Sequence, residues 1–124
     1  MIKKLLFAHV ILEIVGGLVL LFRPDMLMLT EPLKATSAAL IKLFATLIFT
    51  FGLASLLLYR KFDYNAWSKM FVLLVMGYHF AQGLQCYSLY NTEVLANIGA
   101  CSVHIGLALL LLVAFMNERE QFPT

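Results

Sequence analysis

The stretch "KLLFAHVILEIVGGLVLLF", from Lys4 to Phe22, is an apolar run that holds a histidine and a glutamate one helical turn apart. A hydrocarbon core about 30 Å thick is crossed by about 20 helical residues, which is close to the length of this run. His9 and Glu13 therefore lie inside a predicted membrane span, where ionisable side chains are costly and rare. The run ends at Arg23 and Pro24, which interrupt both the apolar pattern and a helix.

Three further apolar segments of similar length follow the first. The chain of 124 residues is 62% hydrophobic and only 13% charged, which is too little charge for the surface of a soluble domain. Because two of the three loops are short, neighbouring helices should form antiparallel hairpins. The sequence thus predicts an all-α fold, an integral membrane four-helix bundle in one domain, residues 1–124. The predicted spans are 4–22, 38–59, 67–90 and 94–116.

The basic residues predict the orientation of these spans. Cytoplasmic loops carry an excess of Lys and Arg. Arg23 and Lys34 lie in the first loop, and Lys42 lies about one turn inside the outer end of the second span. The larger number of basic residues at the opposite ends of the spans places both termini in the cytoplasm and suggests the inner membrane of a bacterium. A cleaved signal peptide is the alternative for residues 1–22, but His9 and Glu13 in its apolar part and the lack of a small-residue cleavage site argue against it. The basic residues on the cytoplasmic side are Lys3, Lys4, Arg60, Lys61, Lys69 and Arg119.

Each predicted helix carries a stripe of polar or small residues at offsets of three and four, which places the stripe on one helix face. Polar side chains in a bilayer avoid lipid by facing neighbouring helices. Folding the chain about the centre of each loop shows which residues of the stripes share a depth. The residues that fall in one layer near the middle of the membrane are Glu13, Thr46, His79 and His104.

Glu13 lies where an unpaired carboxylate is least tolerated, so we expect it to be neutral or paired with a histidine. His9, four residues earlier on the same face, is within reach. The candidate ligand-binding or proton-binding residues are Glu13, His9, Thr46 and Gln82. The alternative is that such side chains only hydrogen-bond a neighbouring helix and fix its packing.

The sequence "ILEIVGGLVLLFRP" resembles the DoxX-like group of small four-helix membrane proteins through its E-x-x-G-G pattern, Glu13, Gly16 and Gly17. The likeness covers about one helix in four and implies a four-helix membrane fold. The same helix is similar to the first helix of small multidrug-resistance transporters, which are also four-span proteins. In that resemblance, Glu13 would be a shared proton and cation site.

The stretch "YHFAQGLQ" resembles the haem-binding helices of membrane cytochrome subunits, in which a glycine four residues after a histidine makes room for the porphyrin. His79 and Gly83 fit that pattern, and His104 at the same depth would be the second axial ligand. A haem b group is therefore one expected cofactor. A non-haem metal ion held by His9, Glu13, His79 and His104 is another.

These observations favour a binding or transport-type membrane module for a small lipophilic or cationic ligand, linked to protons through Glu13. A haem or metal subunit that uses His79 and His104 is one alternative, and a structural subunit of a membrane complex is another. The expected partners are the bilayer and either further copies of the chain or a membrane complex. A net charge of +2 does not suggest nucleic acid, and the lack of a nucleophile–base motif or phosphate loop argues against an enzyme. Cys86 and Cys101 have no metal-ligand spacing and are expected to pack as small residues.

Overall fold

The structure is a computed structural model that describes residues 1–26, 35–95 and 98–123. These residues form four long α-helices and two short 3-10 turns. The helices are α1 Ile2–Phe22, α2 Ala35–Arg60, α3 Ala66–Asn91 and α4 Gly99–Glu118. The 3-10 turns are Pro24–Met26 and Arg119–Gln121.

The described part of the chain is all-helical, and three of its helical segments are long and apolar enough to cross a membrane. They are Ile2–Phe22, Ala39–Arg60 and Gly99–Gln121. Helix α3 has 26 residues, which is sufficient length for a span, but it is more polar than the other three. Helix α4 begins at Gly99 and not near Val94, where the apolar pattern begins. The chain leaves α3 through Glu93, whose left-handed φ of 59° is common just after a helix end.

The helix ends have local chemical causes. Helix α1 stops before Pro24, because proline disfavours helical geometry in the residue that precedes it, and Arg23 has a φ of −139°. Helix α3 begins at a conventional cap, since the Asn65 side chain accepts a 2.9 Å hydrogen bond from the backbone N–H of Ser68.

Two helix pairs pack closely, α1 against α2 and α3 against α4. A Cβ atom on Gly17 would lie 2.8 Å from the backbone nitrogen of Phe49 in α2, and one on Gly83 would lie 2.5 Å from the Ile105 side chain in α4. Small residues permit such close approach, and van der Waals packing rather than the hydrophobic effect holds helices together in lipid. The glycines therefore set the spacing within both pairs.

An apolar core joins α1, α3 and α4 near the chain ends. Its members are Ile2, Leu6, Phe71, Val72, Val75, Leu107, Leu111, Ala114 and Phe122. At this end the amino group of Met1 pairs with Glu118, which also accepts a 2.7 Å hydrogen bond from the Tyr64 hydroxyl. Lys69 Nζ donates to the carbonyl oxygen of Pro123 at 3.2 Å. These contacts bring the first residue and the last described residues together.

The outer surface is apolar. Large hydrophobic side chains point outward on all four helices, among them Phe22 and Trp67 with 75% and 80% of their surface exposed. Exposed apolar surface on this scale marks a membrane or protein partner. Together with the three apolar helices, it is the exterior expected of a protein embedded in a lipid bilayer.

Candidate functional site

Polar side chains from all four helices meet in the interior. His9 and His79 are fully buried, as is Ser55, and Glu13 is 1% exposed. Tyr78 and His104 are half-buried at the edge of the same group. We call these six residues, His9, Glu13, Ser55, Tyr78, His79 and His104, the Glu–His cluster.

The three histidines form a continuous hydrogen-bonded chain. His9 Nε2 lies 2.9 Å from Ser55 Oγ, and His9 Nδ1 lies 2.9 Å from His79 Nε2. His79 Nδ1 in turn lies 2.8 Å from His104 Nδ1. A neutral imidazole has one donor nitrogen and one acceptor nitrogen, so all the bonds in this chain run in the same direction. Each helix contributes one member, and the chain ties the four helices together.

Glu13 lies beside the row of hydrogen-bonded histidines, and only one of its two carboxylate oxygens has a hydrogen-bond partner among the described residues. Its Oε2 accepts a 2.5 Å hydrogen bond from the Tyr78 hydroxyl. Its Oε1 is buried and has no hydrogen-bond partner among the described residues. That oxygen lies 3.8 Å from His9 Nδ1 and 4.0 Å from His79 Nδ1. A buried acceptor without a partner is costly, and one aimed at two imidazoles marks a place where a proton or a cation can bind.

The local sequence explains this geometry. His9 and Glu13 are four residues apart in α1 and so lie on one face of the helix. Gly52 lets α2 come close to Glu13, because a Cβ atom at that position would lie 3.0 Å from Glu13 Cβ. Gly83, one turn after His79, lets α3 approach α4 closely enough for His79 and His104 to touch.

The structure brings together His9, Glu13, His79 and His104, and the predicted depth match between His79 and His104 is confirmed by their direct contact. Thr46 is exposed, and its hydroxyl donates to the Lys42 carbonyl oxygen of its own helix at 2.8 Å. Gln82 is half-buried and makes no side-chain hydrogen bond within the described part of the chain. Thr46 and Gln82 therefore lie outside the hydrogen-bonded cluster.

Thr46 misses the cluster because α2 is shifted relative to the prediction. Folding about the first loop matched Glu13 with Thr46, whereas Gly52 is the α2 residue packed against Glu13. The shift is six residues, about 1.7 helical turns. The prediction assumed that both helices leave the loop at the same height.

Sequence reasoning missed two members of the cluster, Ser55 and Tyr78. The stripe of the second predicted span consists of Ala38, Lys42, Ala45 or Thr46, and Phe49. It continues at helical spacing through Gly52 to Ser55, so extending that stripe would have found Ser55. Tyr78 precedes His79 directly, and no spacing rule distinguishes it from the other tyrosines. Cys86 and Cys101 are free thiols.

The arrangement does not fit the haem alternative. An iron with His79 and His104 as axial ligands would have to separate the two nitrogens that are in hydrogen-bond contact here. The ring centroids are only 5.1 Å apart. The space beside Gly83 is filled by the Ile105 side chain. A porphyrin ring has no room between these histidines.

A single metal ion fits the donors better. His9, Glu13 and His79 each offer one ligand atom, and these atoms lie within 4.8 Å of one another. Two imidazole nitrogens and one carboxylate oxygen are ligands of transition metals. These three side chains are buried together with Ser55, whereas Tyr78 and His104 are half-buried.

The chain matches no protein-family model, and neither a curated protein nor a solved structure is significantly similar to it. The resemblances of α1 to DoxX-like proteins and to small multidrug-resistance transporters therefore rest on the residues of α1 itself. The chemistry of the Glu–His cluster has to carry the functional conclusion.

Proposed function

We propose that this protein is an integral membrane module of the binding or transport type, in which Glu13 holds a small cation in the protein interior. One observation carries the proposal. Glu13 Oε1 is buried and lacks a hydrogen-bond partner among the described residues, although two imidazoles face it. Carboxylates within membrane spans are rare and costly, and those that occur usually mark ion or proton sites.

A cation suits the cluster better than a lipophilic ligand does. One apolar groove runs along α1 and α4 and is lined by Phe7, Ile11 and Val103, among others. A second lies at Leu58, Trp67 and Leu74. No cluster residue lines either groove. The polar groups of the interior are instead close enough together to surround only a small ion.

The hydrogen-bonded chain supports a link between this cation and protons. The hydrogen bonds of this chain have two possible arrangements. In the first, Ser55 donates to His9 and every N–H points toward His104. In the second, His104 donates to His79 and every N–H points toward Ser55. Adding a proton at one end and removing one from the other reverses the whole chain. A cation bound at Glu13 would repel protons from the adjacent imidazoles. Its binding would therefore be coupled to the change of proton arrangement in the histidines.

We further propose that all four helices cross the membrane as antiparallel hairpins, with both termini in the cytoplasm of a bacterium. The distribution of Lys and Arg supports this orientation. Helix α3 is long enough to span, and its His79 is covered by α1 and α4 rather than by lipid. Its more polar composition is therefore compatible with a span.

The test is cation uptake by reconstituted vesicles with Glu13→Gln and Glu13→Asp variants, measured with an internal pH-sensitive dye between roughly pH 5 and 8. Glutamine keeps the shape but removes the charge, so uptake and its pH dependence should be lost. Aspartate keeps the charge but retracts it, so it should give intermediate uptake. Glu120→Gln, at an exposed position near the end of the chain, is the matched control. Identical profiles for wild type and Glu13→Gln would remove the proposal and leave the cluster as a packing element.

A further inference from the structure

We propose that His9, Glu13 and His79 form a binding site for a divalent first-row transition-metal ion. The inference rests on the cation-binding function proposed above and names the class of that cation.

The donor atoms are almost at ligating distances. A zinc ion binds imidazole nitrogen and carboxylate oxygen at about 2.0–2.2 Å, so two donors at tetrahedral angles lie about 3.4 Å apart. Glu13 Oε1 is 3.8 Å from His9 Nδ1 and 4.0 Å from His79 Nδ1. Small side-chain rotations would bring these atoms onto one ion. An imidazole binds one ion through only one of its nitrogens, so His79 would ligate through Nδ1 and give up its 2.9 Å hydrogen bond to His9 and its 2.8 Å hydrogen bond to His104.

Two of the donor side chains, His9 and Glu13, already have the hydrogen bonds that usually hold metal ligands in place. A metal-bound histidine normally gives its second ring nitrogen to a hydrogen bond, and a metal-bound carboxylate is itself hydrogen-bonded. His9 Nε2 is bonded to Ser55 Oγ, which leaves Nδ1 facing the site. Glu13 Oε2 is bonded to Tyr78, which leaves Oε1 facing the site. Phe51 packs against the His9 ring at 5.3 Å between centroids and shields this side.

The donor set selects the class of ion. Calcium binds six to eight oxygen ligands and magnesium binds six, whereas this site offers mainly imidazole nitrogens. Imidazole suits zinc, iron, nickel and copper, and two histidines with one carboxylate also describe a common iron(II) site. The buried location leaves few water ligands available, which favours a small ion of low coordination number. Zinc and cobalt(II), which share tetrahedral geometry, are the appropriate probes.

The first measurement is a cobalt(II) titration of the chelator-treated full-length protein in detergent, read by the visible d–d absorption and followed by zinc competition. We expect saturable binding with an intense tetrahedral spectrum. Glu13→Gln and His79→Asn should each weaken cobalt binding by at least about 10-fold, the range for lost supporting or ligating groups. Glu120→Gln and Gln82→Ala are matched controls that should bind as the wild type does. Unsaturable binding by folded wild-type protein would overturn the proposal.

The second measurement keeps the test decisive if a variant fails to fold. X-ray absorption of the zinc-loaded wild type should show nitrogen and oxygen ligands at about 2.0–2.1 Å, with the scattering pattern of imidazole. Sulfur at about 2.3 Å would place the ion on Cys86 or Cys101 and overturn the site.

The two proposals fail separately. If the wild type binds no cobalt or zinc but Glu13→Gln still abolishes pH-linked uptake of another cation, the metal site is wrong and the cation-binding function stands. If the metal binds but uptake is the same in wild type and Glu13→Gln, the site stands and the transport function is wrong.

Discussion

The Tyr78 hydroxyl donates to Glu13 Oε2 at 2.5 Å and thereby turns the other carboxylate oxygen toward His9 and His79. Tyr78 lies in α3 and Glu13 in α1, so this contact also joins the two closely packed helix pairs. A carboxylate held by one oxygen keeps a fixed direction and loses little conformational freedom when a ligand binds.

Tyr78→Phe removes this hydrogen bond and keeps the ring. We expect cobalt(II) affinity to fall about 10- to 100-fold, as it does when supporting groups of metal ligands are removed. Tyr87→Phe, on an exposed part of the same helix, should leave affinity unchanged. Equal affinities for wild type and Tyr78→Phe would show that Glu13 needs no support.

Ser55→Ala deletes the partner of His9 Nε2 in a fully buried position. Interhelical hydrogen bonds in membranes are worth about 0.6 kcal/mol on average and at most about 1.7 kcal/mol. We expect a loss of about 1 kcal/mol in unfolding free energy, measured by denaturant titration in mixed micelles. Ser102→Ala is the control, since Ser102 is exposed and bonds only within its own helix. A Ser55→Ala protein as stable as this control would contradict the prediction.

Gly17→Ala and Gly16→Ala test the packing of α1 against α2. A Cβ atom at Gly17 would lie 2.8 Å from the Phe49 backbone nitrogen, whereas one at Gly16 meets nothing within 4 Å. Overpacking costs about 1–3 kcal/mol, so Gly17→Ala should destabilise the protein by that amount. Gly16→Ala should be neutral or slightly stabilising, because alanine favours helix. Thermal unfolding of both variants checks this, and equal effects would mean that the helices do not pack as described.

Tyr64 provides a pH-dependent prediction outside the helices. Its hydrogen bond to the Glu118 carboxylate raises the pKa of Tyr64 to about 12. The neutral phenol is the bonded form, so the contribution of this contact to stability is complete below about pH 10, the ordinary tyrosine value. It is lost as the pH rises through about 12. An absorbance titration should lose one late deprotonation step in Tyr64→Phe, and Glu118→Gln should move that step to lower pH. A Tyr64 step at the ordinary value would show that the contact is absent.

The orientation can be checked with reporter fusions. A reporter after Phe122 and a reporter inserted at Asp25 should report opposite sides of the membrane, with the former in the cytoplasm. This orientation follows from the excess of Lys and Arg at the cytoplasmic ends of the predicted spans. Reporters on the same side would mean that the number of spans between them is even.

The apolar periodicity of the sequence was sufficient to predict the helices, because the demand for about 20 apolar residues per span leaves little freedom. Helix α1, Ile2–Phe22, contains the predicted span 4–22, and α3, Ala66–Asn91, contains 67–90. The start of α4 was placed too early, since apolar character alone does not distinguish a helix from a non-helical approach to it. That boundary depends on the backbone at Glu93, which hydropathy does not report.

The site was predictable only in part for a related reason. Ionisable residues in apolar runs stand out in one sequence, so His9, Glu13, His79 and His104 could be selected. Their partners are ordinary residues whose importance comes from packing. Ser55 and Tyr78 join the cluster because Gly52 and Gly83 set how closely the helices approach. Gly52 rather than Thr46 packs against Glu13, and periodicity contains no information on the relative height of two helices.

The position of Glu13 in the first helix, with its partner Tyr78 in the third, has a consequence for biosynthesis. Helix α1 precedes the others in the sequence, so Glu13 enters the bilayer before Tyr78 and His79 have been translated. A charged side chain at the centre of a lone inserted helix costs about 2.5–3.5 kcal/mol. The nascent chain must therefore keep Glu13 neutral or keep α1 beside the translocation channel until α3 arrives. The later helices supply the Tyr78 hydrogen bond and bury the carboxylate. A chain truncated after α2 would leave Glu13 without this partner.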